Sequence, residues 1–404
     1  MNTRFTIAIV TAVVGLSAAY GVNAAPPDHF ERQGVELYRK LISFNTAVGQ
    51  GQVPVLAEYL ATQFRAAGFA DSDIHLFPLG ATASMVVPYP GNGSGGRPIL
   101  LMAHMDVVAA RREDWERDPF TLIEENGYFY GRGTLDVKCG VTAITSALVR
   151  LKSEGFVPSR DLIIVFSGDE ETTQQTIRDL ARNHRQLIDA EFALNSDGGN
   201  GVLDEQSGRP LVYSLQTAEK VYASFELTVH SAGGHSSAPR TDNAIYDLAA
   251  VLQRLQGYHF PVMSNETTRR YFAALGKRTP GKLGAAMLDF AAHPQEGALP
   301  QSATATINCR IFPGVHVDLL AAVTRAVQRR HPGIEVVPQQ ASGATDGAVL
   351  GSVGIPTYGT GEEFIKDSDD FSHGLNERVP VQSFYDGLDF WHALIVDLAG
   401  SPSV

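Results

Sequence analysis

The sequence is poor in cysteine and has no excess of basic charge. Its 404 residues include two cysteines, Cys139 and Cys309, which are too few for a disulfide scaffold, so we expect both to be buried thiols. Asp and Glu number 44 against 32 Lys and Arg, and the formal net charge is −12. A protein that holds nucleic acid by its phosphates needs a basic surface. The charge balance therefore argues against a nucleic-acid partner.

Repeats, heptads and low-complexity tracts are also absent, which excludes solenoids, coiled coils and collagen-like folds. The chain has no Gly-x-Ser-x-Gly nucleophile elbow and no phosphate-binding loop. Apolar residues make up 44% of the chain, which is typical of a globular protein. The length favours two domains.

One uncharged run lies near the N-terminus. Arg4 precedes an almost uncharged stretch over 5–20, and a small-x-small pattern ends at Ala24. This layout is typical of a secretory signal, so we interpret residues 1–24 as a signal peptide. The alternative is a retained anchor, but the run is shorter than the roughly 20 residues that a spanning helix needs. We expect a secreted or periplasmic protein with no stable membrane anchor after cleavage.

Short apolar runs alternate with helical patterns over the first half of the chain. The segments 97–104, 161–167 and 192–196 are typical of buried strands, 141–152 has helical periodicity, and two further helices are predicted within 35–64. This order predicts an α/β fold in which a mixed, mostly parallel sheet is flanked by helices.

The pattern changes after residue 214. Strands with one polar face are predicted at 221–230 and 302–312 with a last strand at 333–338, and helices at 243–255, 267–292 and 317–330. These segments predict a smaller inserted α+β domain of the βαββαβ type. The predicted catalytic domain comprises 25–215 and 341–404, and the inserted domain comprises 216–340.

Acidic and imidazole side chains follow the predicted buried strands. His104 and Asp106 close the first strand, and residues two apart in an extended segment face the same side, so Asp106 can orient the imidazole of His104. In open α/β sheets, ligands bind at strand ends. Two imidazoles and several carboxylates are what a pair of divalent metal ions requires. The further candidates are Asp136, Glu170, Glu171, Asp197 and His373.

Six motifs occur in order along the chain. They are His104-Met-Asp106, Gly131-Arg-Gly-Thr-Leu-Asp136-Val-Lys138, Asp169-Glu170-Glu171, Ser196-Asp197-Gly-Gly, Gly234-His235-Ser-Ser-Ala-Pro239 and His373-Gly-Leu-Asn-Glu-Arg378. This ordered set resembles the M20 family of co-catalytic zinc peptidases and aminoacylases. Gly131–Asp136, Asp114–Phe120 and His235–Pro239 are most similar to its carboxypeptidase S and N-acyl-amino-acid hydrolase branch.

The resemblance implies a ligand set for two zinc ions, for which cobalt or manganese could substitute. His104 and Asp197 would hold one ion, Glu171 and His373 the other, and Asp136 would bridge them. Glu170 would be the general base. Adjacent residues of an extended segment point to opposite sides, so Glu171 can bind metal while Glu170 faces the attacking water.

The resemblance also implies a cis peptide bond between Asp136 and Val137. Many members of the family have two glycines where this chain has Cys139 and Gly140. We expect Cys139 to be a packing residue; the alternative is a weak extra ligand.

In the family, the inserted domain acts as a lid and dimerisation unit. His235 would stabilise the oxyanion, reaching in from the partner subunit of a homodimer, and Arg310 would bind a substrate carboxylate. The alternative interpretations are a surface histidine in a flexible loop and an exposed strand arginine.

The activity implied is hydrolysis of an amide bond next to a free carboxylate. The substrate would be a small peptide that loses its C-terminal residue or an N-acyl amino acid that loses its acyl group. Two alternatives stay open: a non-catalytic metal- or peptide-binding protein of the same fold, and a desuccinylase-type hydrolase of cell-wall precursors.

Overall fold

The computed structural model describes residues 28–220, 226–235, 237, 243–258, 264–293, 317–361 and 363–400. The predicted signal peptide, residues 1–24, lies outside this range. The strands are β1 (His75–Leu79), β2 (Thr82–Tyr89), β3 (Ile99–His104), β4 (Ile123–Glu125), β5 (Tyr128–Tyr130), β6 (Leu162–Ser167), β7 (Phe192–Asn195), β8 (Gly201–Leu203), β9 (Pro210–Ala218), β10 (Glu335–Gln340), β11 (Thr357–Gly359), β12 (Phe364–Ile365) and β13 (Arg378–Pro380).

Ten helices separate or follow these strands within the described residues. They are α1 (His29–Ile42), α2 (Val53–Ala66), α3 (Lys138–Ser153), α4 (Gln175–Asn183), α5 (Ala244–Gln256), α6 (Glu266–Arg278), α7 (Gly281–Ala292), α8 (Val317–Arg330), α9 (Asp346–Ser352) and α10 (Val381–Ala399). None of them combines the length and apolar character that crossing a bilayer requires.

The described strands form one mixed sheet of ten strands and one sheet of three. The large sheet has the order β1-β2-β6-β3-β7-β11-β9-β8-β12, with β10 paired to β9. Its central run, β6-β3-β7-β11, is parallel, whereas β1 and β2 add an antiparallel edge. The predicted α/β class with a mixed, mostly parallel sheet flanked by helices is confirmed.

Strands β3 and β6 are buried along their whole length. Alternate side chains of β3 face opposite sides of the sheet: Leu101 packs in a core shared with α1, α2, α3 and α10, whereas Leu100 packs in a core shared with α4 and α9. Helices on both faces explain why these strands are continuous apolar runs in the sequence. Each such leucine contributes about 1.5–3 kcal/mol by its burial.

The parallel register brings the carboxyl ends of the central strands to one edge. His104 at the end of β3 pairs with Ser167 at the end of β6, and Met102 pairs with Asn195 at the end of β7. The small sheet, β13-β5-β4, joins two more loops, because Arg378 of β13 pairs with Tyr130 of β5. All the loops that carry predicted ligands therefore begin or end at these strands.

One strand expected in the inserted domain lies in the large sheet. β10, predicted near 333–338, pairs in parallel with β9. Val337 of β10 and Val212 of β9 share an apolar cluster with Leu275 of α6, which covers this part of the sheet. Periodicity predicts a strand with one buried face, but it does not identify the strand's neighbour.

Two other expectations change in the region after β9. The helix predicted over 267–292 is two helices, because Pro280 lies between them and cannot continue an α-helix. Of the strand predicted at 221–230, residues 226–230 are described and are not in a strand. Residues 221–225 and 294–316, with the predicted strand at 302–312 and Cys309, lie outside the described residues. The limits 216–340 of the inserted domain stay a prediction.

Candidate metal centre

The first half of the site is built on His104, the last residue of β3. Its imidazole is 1% exposed, and Nε2 lies 3.0 Å from Oδ1 of Asp136 and 3.9 Å from Oδ2 of Asp197. On the other side of the ring, Nδ1 lies 3.0 Å from the backbone oxygen of Asp106. A hydrogen bond to that oxygen keeps the proton on Nδ1 and leaves the Nε2 lone pair for a metal.

The second half is built on His373, in the loop before β13. Its Nε2 lies 2.9 Å from Oδ2 of Asp136 and 2.9 Å from Oε2 of Glu171. Because Oδ1 of Asp136 faces His104, the two oxygens of this one carboxylate face two different imidazoles. This is the arrangement that a carboxylate bridging two cations needs.

Two groups of described residues place their ligand atoms within 4.8 Å of one another. One is His104, Asp136 and Glu171, and the other is His104, Glu170 and Asp197. Together with the contacts of His373, these groups bring all five predicted metal ligands and the predicted base to one place.

Burial dominates the acid–base behaviour of two carboxylates here. It raises the pKa of Glu170 to about 9 and that of Asp197 to about 8. Repulsion from neighbouring carboxylates, including the buried Asp346, adds to both pKa shifts. A pocket with this many acids retains protons unless cations take their place.

The imidazoles of His104 and His373 hold the carboxylate of Asp136 ionised. Although burial opposes it, hydrogen bonds with His104 and His373 keep the pKa of Asp136 well below its usual range. Hydrogen bonds with Asp136 and Glu171 raise the pKa of His373 to about 10. Two divalent cations would supply the positive charge that imidazolium groups otherwise provide.

The donor set fits a divalent metal in a further respect. Oε1 of Glu171 is buried and has no hydrogen-bond partner among the described residues. A buried carboxylate oxygen without a partner is costly, and a cation would satisfy it. Imidazole nitrogens mixed with carboxylate oxygens are ligands that zinc accepts.

Two aspartates shape the loop that presents Glu170 and Glu171. The carboxylate of Asp106 accepts hydrogen bonds from the backbone N–H groups of both glutamates, each at 3.1 Å. Asp169 accepts from the backbone N–H of Thr176 at 2.9 Å, so it holds the start of α4 rather than a metal. The predicted contact of Asp106 with His104 is present, with Oδ1 of Asp106 3.5 Å from Nδ1 of His104. The hydrogen bonds of Asp106 with the loop of Glu170 and Glu171 were not predicted from the sequence.

The segment after Asp136 agrees with the sequence interpretation. The peptide bond between Asp136 and Val137 is cis, as predicted. Cys139 is buried, and its Sγ lies 2.7 Å from Oε1 of Glu363. The expected buried thiol is confirmed for Cys139, and its hydrogen bond adds a polar role that packing alone did not predict.

A cavity of about 180 Å³ opens beside the centre. It is bounded by Asp136 and Asp197 and by Asn200, Glu363 and Ser372 of neighbouring loops. The cavity adjoins two of the candidate ligands, so the centre can be reached from this side.

The two residues expected to contact substrate from the inserted domain are not part of this geometry. His235 is described and exposed, and its Nδ1 lies 2.7 Å from Oγ of Ser237. Among the described residues, no hydrogen bond or ion pair joins His235 to a candidate ligand. Arg310 lies outside the described residues.

Sequence reasoning assigned no role to three buried charged residues near the centre. Lys138 is fully buried, its Nζ donates to the backbone oxygen of Phe44 at 2.7 Å, and burial lowers its pKa to about 7. Arg132 and Glu377 are also buried and form an ion pair. All three lie within the motifs of Asp136 and His373. Their closeness in sequence to these candidate ligands is the feature that could have identified them.

Comparisons with known proteins agree with this geometry. The human N-fatty-acyl-amino acid synthase/hydrolase PM20D1 is 29% identical over 59% of this chain and 54% of its own length. The probable carboxypeptidase S-like 2 of Dictyostelium discoideum is 30% identical over 61% of this chain and 54% of its own. A succinyl-diaminopimelate desuccinylase of Wolbachia pipientis is 28% identical over 56% and 54%. The chain thus spans little more than half the length of these relatives.

The fold has solved counterparts. The dipeptidase Dug1p from Saccharomyces cerevisiae superposes with a TM-score of 0.65 over 93% of this chain and 97% of its own, at 16% identity. Residues 100–397, which contain the five predicted metal ligands, match the profile of peptidase family M20/M25/M40. The chain belongs to this family.

Proposed function

We propose that the protein is a hydrolase that uses two divalent metal ions, with zinc as the expected metal and cobalt or manganese as substitutes, to cleave an amide bond next to a free carboxylate. The observation that carries the proposal is the position of Asp136 between His104 and His373, with one carboxylate oxygen toward each ring. His104 and Asp197 would hold one ion, Glu171 and His373 the other, and Asp136 both.

Bound ions would polarise the scissile carbonyl and lower the pKa of the attacking water. Glu170 would move the proton, and the hydrogen bond of its backbone N–H to Asp106, which holds it beside the candidate ligands, supports this role. Glu170 would take the proton of the water and deliver it to the leaving nitrogen.

The proposed substrates are N-acyl amino acids and small peptides. This class is supported by the names of the human and Dictyostelium relatives. Arg310 would bind the substrate carboxylate as a bidentate partner, and His235 of a second subunit would stabilise the oxyanion.

Two alternatives differ in substrate or in turnover. The Wolbachia relative supports a desuccinylase, which also cleaves an amide bond. A non-catalytic binding protein would have no need of Glu170, and the retained glutamate therefore favours an enzyme.

We further propose that the mature chain is exported to the periplasm or the medium and forms a homodimer. The signal-like pattern over residues 1–24 supports export. The exposure of His235, which has no hydrogen bond to a candidate ligand of its own chain among the described residues, supports a role across a subunit interface.

The test is hydrolysis of a panel of dipeptides, N-acyl amino acids and succinylated diamino acids by the zinc-loaded protein. Glu170→Gln should lower kcat by about 10²–10⁴-fold, because general acid–base catalysis contributes that much, while zinc content stays unchanged. Glu58→Gln, on the outer face of α2 with a 64% exposed side chain, is the control and should leave hydrolysis unchanged. Equal turnover by Glu170→Gln refutes the assigned base. A wild-type protein that binds zinc and hydrolyses nothing in the panel supports the non-catalytic alternative.

A further inference from the structure

Glu377 is buried in the loop that follows His373, and its carboxylate is fully used by the loop that precedes Asp136. Oε1 accepts the backbone N–H groups of Leu135 at 2.7 Å and Asp136 at 2.9 Å. Oε2 accepts the backbone N–H of Gly133 at 3.0 Å and Nη1 of Arg132 at 2.5 Å. A carboxylate has about four acceptor sites, so every one is occupied by this one segment.

Arg132 makes the reverse connection. It lies on the loop of Asp136 and is 1% exposed. While Nη1 donates to Glu377, Nη2 donates to the backbone oxygen of Gly374 at 2.9 Å and lies 3.4 Å from that of His373. The guanidinium carbon lies 5.1 Å from the ring centre of Trp115, which covers it. Each loop therefore binds the backbone of the other through one charged side chain.

His373 depends on such support more than His104 does. Its backbone has φ of 62°, in the left-handed region that is unfavourable for a residue with a side chain. Its side chain is 56% exposed, whereas that of His104 is 1% exposed. Packing holds His104 in place, but the position of His373 rests chiefly on the backbone contacts of its loop.

We infer that Arg132 and Glu377 form a clamp that sets the distance between Asp136 and His373, and thereby determines how tightly the second of the two proposed metal ions binds. The inference rests on the proposed two-ion centre. Both are positioning residues, because neither side chain is among the candidate ligands. A buried ion pair is a poor way to gain stability alone, since apolar packing of the same volume often does as well. The reciprocal contacts of Arg132 and Glu377 with the loops of Asp136 and His373 indicate instead that the pair fixes the positions of these two candidate ligands.

The test is metal binding by the full mature chain, measured by titrating the metal-free protein with Co²⁺ and by zinc content after dialysis. Arg132→Lys keeps the charge near Glu377 but loses the second arm to Gly374, and Glu377→Gln removes the negative charge. In both variants the second ion should bind about 10–100-fold more weakly, as loss of residues that orient ligands typically does. The first ion should lose less affinity, because of its ligands only Asp136 lies on the clamped loops. The ratio of the two affinities is the readout, because a general loss of stability would weaken both ions alike.

Matched controls come from an ion pair on another part of the fold. Arg160 and Glu191 lie 3.0 Å apart, beside the amino ends of β6 and β7. Arg160→Lys and Glu191→Gln should leave both affinities unchanged.

The outcomes separate the two hypotheses. Clamp variants that bind the second ion as the wild type does overturn the inference, and so do clamp variants that weaken both ions equally. A wild type that binds fewer than two ions overturns the two-ion proposal instead. If Glu377→Gln does not fold, Arg132→Lys decides alone, with circular dichroism to verify its fold.

Discussion

The carboxylate of Asp106 organises the candidate metal centre although it is not one of the candidate metal ligands. Its two oxygens accept the backbone N–H groups of Glu170 and Glu171, and its backbone oxygen faces the ring of His104. The predicted base and two predicted ligands thus depend on one residue.

We predict that Asp106→Asn lowers kcat/KM about 10–100-fold, because an amide offers one acceptor atom where two backbone donors must be satisfied. The measurement is steady-state hydrolysis of the best panel substrate. Asp161→Asn is the control, since Asp161 also accepts a backbone N–H, from Gly91 at 2.7 Å, before β6 begins. Equal effects of the two substitutions would show that Asp106 has only a structural role.

The sequence was informative about ligands and less so about the residues that hold them. His104 and Asp197 could be singled out because they follow buried strands, and Asp136 and His373 because they lie in motifs that resemble those of a known family. Asp169 and Glu377 act on backbone N–H groups of other segments. Such partners are set by the folded path of the chain, which a motif does not encode.

At the element scale, β3 is the strand on which the centre depends. It lies between β6 and β7, and it ends at His104. We predict that Leu101→Ala lowers the free energy of unfolding by about 2–5 kcal/mol, because the site is buried and a cavity replaces the lost side chain.

Urea unfolding followed by circular dichroism measures this effect. Val157→Ala is the control, because Val157 is 59% exposed and should change stability by no more than about 0.5 kcal/mol. A Leu101→Ala protein as stable as the control would contradict the central place of β3 in the core.

The strands β3, β6 and β7 were predictable, whereas β2 and β9, which are also largely buried, were not predicted. β3, β6 and β7 are continuous apolar runs because helices cover both faces. β1 is partly exposed and went unpredicted, and β10 was predicted as a strand but placed in the wrong sheet. Period and hydrophobicity describe a strand's faces, whereas its neighbours follow from the packing of distant segments.

If His235 acts across a subunit interface, as proposed, the reaction depends on two copies of the chain. We predict that His235→Ala and Glu170→Gln are each nearly inactive and that mixing them under conditions of subunit exchange restores activity. A mixed dimer with two-fold symmetry has one site with both functional groups, so recovery should approach about a quarter of wild-type activity.

The control is a mixture of Glu170→Gln with Asp136→Asn. Each of these substitutions disables the centre of its own chain, so no mixed dimer has an intact site. Recovery in the control, or none in the first mixture, would refute a role for His235 across subunits.

The distance in sequence between the two imidazoles also bears on how the centre is assembled during synthesis. His104 belongs to the middle of the large sheet, whereas His373 precedes β13, which pairs with β5 from the first half of the chain. A nascent polypeptide still attached to the ribosome before residue 373 has emerged holds only part of the donor set. Capture of the proposed second ion would therefore await the emergence of residue 373 from the ribosome, or follow translocation where the chain crosses a membrane unfolded.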